Sequence, residues 1–236
     1  MNETLKWFKS VGVEKFINDK YFSTTDDSST KKYPENIICS DPLSGITTLE
    51  GLREYIISIN HPLKKTATNT VFGTGNTSSK VVFVGEAPGH DEDIEGIPFV
   101  GQSGQLLTNI MHAIGIEREK IYITNVVPWR PENNRTPSAD EIKFFKPILE
   151  KHLALLNPEI IITLGATATK AVLDTTAGIL SLRGKWIAKR INGKEYQVLP
   201  TYHPSYLLRL SSQKKTVWKD FLLLRSKMEE LRISIN

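Results

Sequence analysis

The stretch Lys80-Val-Val-Phe-Val-Gly-Glu-Ala-Pro-Gly89 places a run of apolar, mostly β-branched residues directly before a turn rich in glycine and proline. Two similar runs follow, Ile121-Tyr-Ile-Thr-Asn125 and Glu159-Ile-Ile-Ile-Thr-Leu164, with amphipathic helical stretches between them. This alternation predicts parallel strands joined by crossover helices, and strands that are apolar throughout belong inside a layered sheet. We therefore expect an α/β fold, a three-layer α/β/α sandwich around a central, mainly parallel, four-stranded sheet.

Composition and pattern divide the chain into three parts. Residues 1–22 carry apolar residues at helical spacing and are predicted to be an N-terminal helical segment. Residues 23–47 are predicted to be a polar linker, because their stretch 23–36 contains too few apolar residues to fold alone. Residues 48–236 form the predicted α/β domain, with helices near 48–59 and 214–232 and a hairpin turn at Asn192-Gly193.

The charge and cysteine content exclude several classes of protein. The net charge of +4 is too mild to identify a nucleic-acid binder, although twelve basic and four acidic residues follow Ser181. A single cysteine, Cys39, excludes an internal disulfide and any site that needs several thiolates. No apolar run approaches the roughly 18 residues of a membrane helix, and the first residues lack the apolar core of a signal peptide. We expect a cytoplasmic protein without membrane contact.

Three loops are expected to share one pocket, because ligands of open α/β sheets bind beyond the carboxyl ends of the strands. The first loop starts at Gly85 and contains acidic residues, two Gly–Pro turns and Phe99, whose ring offers a face for a flat base. Ser103 then opens a helix. The free N–H groups at the start of a helix are a common binding place for anions. A metal site, a phosphate site or a simple tight turn remain open for this loop.

The second and third loops add groups that read or polarise a base. Asn125 ends a strand with an amide that both donates and accepts, although a lone asparagine there is more often a turn former. His203, beside a proline, is suited to donate a hydrogen bond to a developing anion, and a buried structural histidine is the alternative. The other four histidines are scattered, and none is assigned to a metal.

The motifs of these loops, GEAPG (85–89), PFVG (98–101), N-V-V-x-x-R-P-x-x-N-R-x-P (125–137) and HPSYLLR (203–209), occur in this order. Together they resemble the family 4 uracil-DNA glycosylases of bacteria and archaea, from about Leu52 to Arg209. The resemblance implies that Phe99 stacks on a flipped uracil, Asn125 reads the edge of the base, and His203 stabilises the charge left on it.

The resemblance implies further roles at the rim of the pocket. Glu86 would lie beside the sugar, Glu92 would crowd C5 of the base and so reject thymine, and Ala87 takes the place that a water-activating aspartate has in family 1. The expected DNA-contacting residues follow the strand or fill the gap that the base leaves: Ser205, Tyr206, Leu207, Leu208, Arg209, Arg135 and Ser103.

The chain departs from the family at the iron–sulfur cluster. The four cysteine positions of most family 4 members are occupied here by Ser58, His61, Trp129 and Phe145, and Cys39 lies outside the pattern. We therefore expect no cluster and no other cofactor or metal, with apolar packing around Trp129 and Phe145 in its place.

The resemblance implies a monofunctional glycosylase of base excision repair that acts as a monomer on single- or double-stranded DNA, at the nucleoid of a bacterium, and leaves an abasic site. The alternative is a catalytically silent paralogue that binds DNA or a repair partner. A repair or replication protein, such as a polymerase clamp, is the partner class considered for the N-terminal segment. A nucleotide hydrolase would need phosphate or metal spacings that the sequence lacks.

Overall fold

The sheet at the centre of the domain has six strands among the residues that the computed structural model describes, which are 42–233. The strands are β1 (Thr74–Gly75), β2 (Val81–Gly85), β3 (Tyr122–Asn125), β4 (Ile160–Leu164), β5 (Ile187–Ile191) and β6 (Lys194–Thr201). Their order across the sheet is β1-β3-β2-β4-β6-β5. The predicted N-terminal helical segment (1–22) and residues 23–41 of the predicted linker lie outside the described residues.

The α/β class and the parallel centre of the sheet are confirmed, whereas the number of strands was underestimated. Strands β3, β2, β4 and β6 pair in parallel, and they form the expected group of four. β1 and β5 add an antiparallel strand at each edge. β1 has only two residues, too few to form a recognisable pattern, and β5 extends the sheet through the hairpin at Asn192-Gly193. Both hairpin residues have positive φ, 48° and 85°, as such a turn requires.

The helices cover both faces of the sheet. They are α1 (Leu49–Ser58), α2 (Pro62–Thr66), α3 (His90–Glu95), α4 (Gln102–Ala113), α5 (Ala139–Leu156), α6 (Ala166–Leu173), α7 (Ile179–Leu182), α8 (Pro204–Arg209) and α9 (Lys214–Glu230). None of these helices, within residues 42–233, has the length and apolar content needed to span a membrane.

Alternate side chains of β2 point into two separate core clusters, one on each face of the sheet. Val82 and Val84 point into a cluster with residues of α1, α5 and α6, whereas Val81 and Phe83 pack with residues of α4, α8 and α9. All four side chains are fully buried. Side chains of successive strand residues point to opposite faces of a sheet, so a strand that is apolar throughout needs a helical layer on each side. The predicted three-layer arrangement is therefore confirmed.

Two short helices lie inside segments that the sequence indicated as loops. α3 interrupts the first loop and α8 forms most of the third. Each has six residues, fewer than two turns, so no helical period is visible in the sequence. α8 begins with His203 as its N-cap and Pro204 in its first turn, where proline is favoured because its missing N–H is not needed.

Candidate active site

The carboxyl ends of the parallel strands bring the three loops together, as the sequence predicted. Gly85 ends β2 and Asn125 ends β3, and the two residues pair directly across the sheet. His203 follows the end of β6, and a Cβ on Gly165, at the end of β4, would lie 3.0 Å from the Cβ of His203. One edge of the sheet therefore carries the candidate pocket.

Phe99 lies over this edge in a strained backbone conformation. Its φ is 57°, in the left-handed region, which costs a non-glycine residue about 1–3 kcal/mol. The side chain is 6% exposed, and its ring centroid lies 5.6 Å from that of His203, with 33° between the planes. A Cβ on Gly85 would lie 2.6 Å from Cε2 of Phe99. Only glycine at position 85 leaves room for the ring, so the ring packs directly against the backbone at the end of β2.

Asn125 presents an acceptor without a partner. Its Oδ1 is the only buried side-chain nitrogen or oxygen in residues 42–233 that makes no hydrogen bond. A buried polar atom left unpaired costs about 1–3 kcal/mol, so proteins keep few of them. The atom lies close to Gly85 and is therefore next to the Phe99 ring. A ligand that brings an N–H to this position would satisfy it.

His203 has a defined tautomer in this structure. Its Nδ1 lies 3.2 Å from the backbone N of Ser205 and 2.8 Å from the Ser205 hydroxyl oxygen. A backbone N–H can only donate, so Nδ1 accepts, and the neutral ring carries its proton on Nε2. Burial, and to a smaller extent the positive charge of Arg209, lowers the pKa of His203 to about 4. The residue is therefore a neutral hydrogen-bond donor near pH 7.

Glu86 and Ala87 connect the first loop to the second. The backbone oxygen of Glu86 accepts a hydrogen bond from Val127 N at 3.1 Å, while the Glu86 side chain is half-buried beside Gly85. Ala87 packs against the core cluster on the α5 side of the sheet.

Glu92 makes contacts that the sequence did not indicate. It is only 8% exposed, and its Oε2 accepts from Gly89 N at 3.1 Å. Its Oε1 accepts from Val100 N at 3.1 Å and from Gly101 N at 3.0 Å. Both carboxylate oxygens are therefore engaged by the backbone of the first loop. These bonds span the turn formed by residues 98–101, which we call the Phe99 turn.

Arg118 is a second residue of this region that the sequence analysis missed. It lies in a 3-10 turn before β3, and its Nη2 donates to the Pro98 carbonyl oxygen at 2.6 Å. Its Nη1 donates to the Thr108 hydroxyl oxygen at 3.1 Å. Twenty residues separate Arg118 from Pro98 in the chain, and no motif of the sequence connects them.

The expected DNA-contacting residues of the third loop fall into exposed and buried groups. Leu208 is 45% exposed, and Arg209 is also exposed. Ser205 and Tyr206 are half-buried. Leu207 is 0% exposed, so its assignment to the DNA-contacting group is wrong. The reason is helical geometry: residues of α8 three apart share a face, and Leu207 follows Pro204 onto the buried face.

The other two expected DNA contacts are accessible. Arg135 is exposed and forms a two-bond ion pair with Glu141, with distances of 2.6 and 2.8 Å. Glu141 also accepts from the backbone N of Ser138, the N-cap of α5, so the pair fixes the end of the second loop. Ser103 is half-buried in the first turn of α4.

The residues at the family's cluster positions do not fit an iron–sulfur cluster. The His61 ring centroid lies 6.0 Å from Trp129, 4.9 Å from Phe144 and 5.0 Å from Phe145. Its Nδ1 accepts from Leu63 N, and the Ser58 hydroxyl donates to the backbone oxygen of Tyr55. None of these side chains is a thiolate, the ligand such clusters need.

We call His61, Trp129, Phe144 and Phe145 the aromatic cluster. Trp129 and Phe145 are 1% and 0% exposed, and the Trp129 Nε1 donates to the Thr70 hydroxyl oxygen at 2.9 Å. Within residues 42–233, no group of three or more His, Cys, Asp or Glu side chains is arranged to hold a metal ion. Cys39 lies outside the described residues.

Comparison with known proteins gives a consistent family. Residues 72–222 match the uracil DNA glycosylase superfamily. The chain is 41% identical over 184 residues to a type-4 uracil-DNA glycosylase of Sulfurisphaera tokodaii, covering 75% of this chain and 84% of that protein. It is 46% identical over 149 residues to the type-4 uracil-DNA glycosylase of Thermotoga maritima, covering 63% of this chain and 76% of that protein. The chain therefore belongs to the uracil DNA glycosylase superfamily and, within it, to the type-4 uracil-DNA glycosylases.

Proposed function

We propose that this protein removes uracil from DNA by hydrolysing the bond between the base and the sugar, and leaves an abasic site. The single observation that carries the proposal is the buried, unpartnered Oδ1 of Asn125 beside the ring of Phe99. Uracil has an N–H at N3 and a carbonyl on each side of it. It can therefore satisfy Oδ1 with N3–H while its O4 accepts from the Asn125 amide nitrogen. Stacking on Phe99 holds the flat base in this position.

The base leaves as an anion, and His203 stabilises it. When the bond between C1′ and N1 breaks, its electron pair goes to the uracil ring and the charge spreads to O2. The Nε2–H of neutral His203 donates to that oxygen. Such a preorganised donor is effective because it needs no reorganisation at the moment of reaction. The bonds from Ser205 to Nδ1 keep the proton on the required nitrogen.

Glu86 acts on the sugar side. Positive character develops on C1′ as the base departs, and a carboxylate nearby stabilises it and orients the attacking water. The water adds to C1′, and the proton that it loses passes through solvent to the departing uracil anion, which completes hydrolysis. The target nucleotide must first leave the duplex, at a cost of a few kcal/mol. Leu208 and Arg209 offset this cost by filling the gap and holding a phosphate, and their exposure supports these roles.

The aromatic cluster takes the structural place of the iron–sulfur cluster. Its four rings join His61, the N-cap of α2, to the second loop and α5. Aromatic pairs at these separations contribute about 0.5–1.5 kcal/mol each beyond the burial of their surfaces. Trp129 and Phe145 are among the largest fully buried side chains of the described part of the chain. Apolar packing thus replaces metal–thiolate bonds in holding the second loop.

The protein acts as a monomer on uracil-containing DNA, single- or double-stranded, and residues 1–22 bind a repair or replication protein. The support for a partner of residues 1–22 is that this segment precedes residues 72–222, which match the family, and has its own amphipathic pattern. A sedimentation measurement on the purified chain should give a mass near 26.6 kDa.

The test is excision of uracil from a labelled oligonucleotide in the presence of a chelator. We expect the protein to cleave at uracil and not at thymine. His203→Ala is expected to lower the rate by about a hundredfold or more, since a preorganised donor to the oxyanion is removed. Asn125→Ala and Glu86→Ala should also lose activity. Asn69→Ala is the control and should keep the native rate. It also removes an amide side chain, but that amide donates to the backbone oxygens of Asp93 and Ile94 on α3 and to no proposed pocket residue.

A well-folded protein that binds uracil-containing DNA without cutting it would refute the proposal and favour the silent paralogue. Full activity of Asn125→Ala would refute the assignment of this residue while leaving the glycosylase itself standing.

A further inference from the structure

We infer that Glu92 and Arg118 are a pair of positioning residues that hold the Phe99 turn, residues 98–101, so that the Phe99 ring lies over the pocket. The inference rests on the proposed role of Phe99 as the ring on which uracil stacks. It assigns Glu92 a different task from contact with C5 of the base, and it gives Arg118, which no motif indicated, a task in the same site.

The Glu92 carboxylate binds the turn from the side of α3. It accepts three backbone N–H groups, those of Gly89, Val100 and Gly101, at 3.0–3.1 Å. Hydrogen bonds to an ionised group are roughly twice as strong as neutral ones. Val100 directly follows Phe99, so two of these bonds fix the peptide groups that come immediately after the strained residue. An amide side chain at position 92 would place an NH₂ against one of these donors.

The Arg118 guanidinium binds the same turn through a carbonyl group. Its Nη2 donates to the carbonyl oxygen of Pro98, the residue directly before Phe99. Its Nη1 is held by the hydroxyl of Thr108 on α4. Burial lowers the pKa of Arg118, and the negative charges of Glu119 and Glu92 act in the opposite direction. The turn is therefore bound by a carboxylate at two of its N–H groups and by a guanidinium at one of its carbonyl groups.

Packing leaves one side of the turn open. A cleft of about 370 Å³ opens along it, lined by Ile97, Val100 and Arg118 among others. On the inner side the contact is very close, since a Cβ on Gly104 would collide with the carbonyl group of Phe99. The backbone at Phe99 is in the left-handed region. A strained conformation persists only where its surroundings determine it, and the bonds from Glu92 and Arg118 to the residues on either side of Phe99 are part of those surroundings.

The alternative task for Glu92 is to reject the methyl group of thymine by contact. Both of its oxygens are already engaged by backbone N–H groups, and the side chain is 8% exposed. A carboxylate in this arrangement acts on the base through the ring that it positions. The two tasks make opposite predictions for thymine, so one set of variants separates them.

The experiment measures single-turnover excision from uracil- and thymine-containing oligonucleotides by Glu92→Gln and Arg118→Met, each in the native background and together with Phe99→Ala. In the native background we expect each variant to slow uracil excision by about tenfold to a hundredfold, the effect of misplacing a group by about 1 Å. In the Phe99→Ala background the further loss should be less than about threefold, because the ring to be positioned is gone.

The variants should lower the excision rate at saturating protein. The protein concentration that gives half of that rate should change little, because the expected DNA contacts lie elsewhere. Arg118→Lys, which keeps one charged donor, should recover part of the rate. Glu95→Gln on α3 and Lys120→Met beside Arg118 are matched controls that should keep the native rate, because both side chains are exposed and neither bonds to the turn.

Three outcomes overturn the inference. Equal losses in both backgrounds would show a general structural effect, and new thymine excision by Glu92→Gln with native uracil excision would show direct contact with the base. If Phe99→Ala alone keeps the native rate, the proposed role of Phe99 fails and the inference fails with it. If Glu92→Gln does not fold, as judged by thermal unfolding, the Arg118 variants decide between the same results.

Discussion

The ring of Phe99 lies 5.6 Å from the imidazole ring of His203, with 33° between the two planes. The two residues come from the first and third loops, which follow different strands of the parallel sheet. In the proposed function, a base stacked on Phe99 would lie beside His203, and Asn125 lies at the same sheet edge. The proposed stacking and the proposed charge stabilisation would therefore both depend on how the strand ends bring the first and third loops together.

Gly85→Ala is expected to lower uracil excision by about a hundredfold, because the added Cβ would force the Phe99 ring and the Asn125 amide out of place. Gly178→Ala is the matched control, since a Cβ there meets no atom within 4 Å. Single-turnover rates for both variants provide the measurement. A native rate for Gly85→Ala would mean that the ring and the amide do not need their present positions.

The excision rate should be independent of pH from about 5 to 8 as far as His203 is concerned, because burial lowers the pKa of this residue to about 4. Protonation of Nδ1 at lower pH would break the bonds from Ser205 and reduce the rate. The free energy of unfolding should also decrease at low pH. The unfolded chain takes up a proton near the ordinary pKa of 6.5 and the folded chain does not, so stability falls as the pH drops from about 6.5 toward 4.

Rate profiles of the native protein and of His203→Ala provide the measurement. A step near pH 6.5 in the native profile that is missing in the variant would contradict the lowered pKa.

Adjacent leucines on α8 are expected to respond in opposite ways to truncation. Leu207→Ala should lower the free energy of unfolding by about 2–5 kcal/mol, because the side chain is fully buried. Leu208→Ala should leave stability within about 0.5 kcal/mol and slow excision from double-stranded DNA by about tenfold, with a smaller effect on single strands, where no stacked partner must be replaced. Denaturant unfolding and excision assays on both substrates test the pair. Equal effects of Leu208→Ala on both substrates would argue against insertion into the stack.

The aromatic cluster should carry stability that does not depend on metal. Phe145→Ala is expected to lower the free energy of unfolding by about 3–5 kcal/mol, since the ring is 0% exposed. Phe144→Ala, at a half-buried position of the same cluster, should cost less. Incubation with an iron chelator should change neither the thermal unfolding nor the excision rate. A brown protein that loses stability in chelator would contradict the proposal.

The fold was largely predictable because it depends on local pattern. Apolar runs at 81–85, 122–125 and 160–164 alternate with helical stretches, and right-handed crossovers then require a parallel sheet with helices on both faces. The same pattern places Gly85, Asn125 and His203 at one edge of the sheet. The edge strand β1 was missed for the opposite reason, since its two residues are too few to show a period.

By itself, the sequence determined the α/β class, the common edge of the three loops and the residue types of the pocket, because these follow from periodicity and from the order of motifs along the chain. Only the tertiary structure decided that Leu207 is buried while Leu208 is exposed, that both oxygens of Glu92 bind the backbone, and that Arg118 holds Pro98. The physical reason is that a hydrogen bond or a buried face depends on distances between groups that are far apart in the chain. Such distances exist only after the helices and strands have packed together.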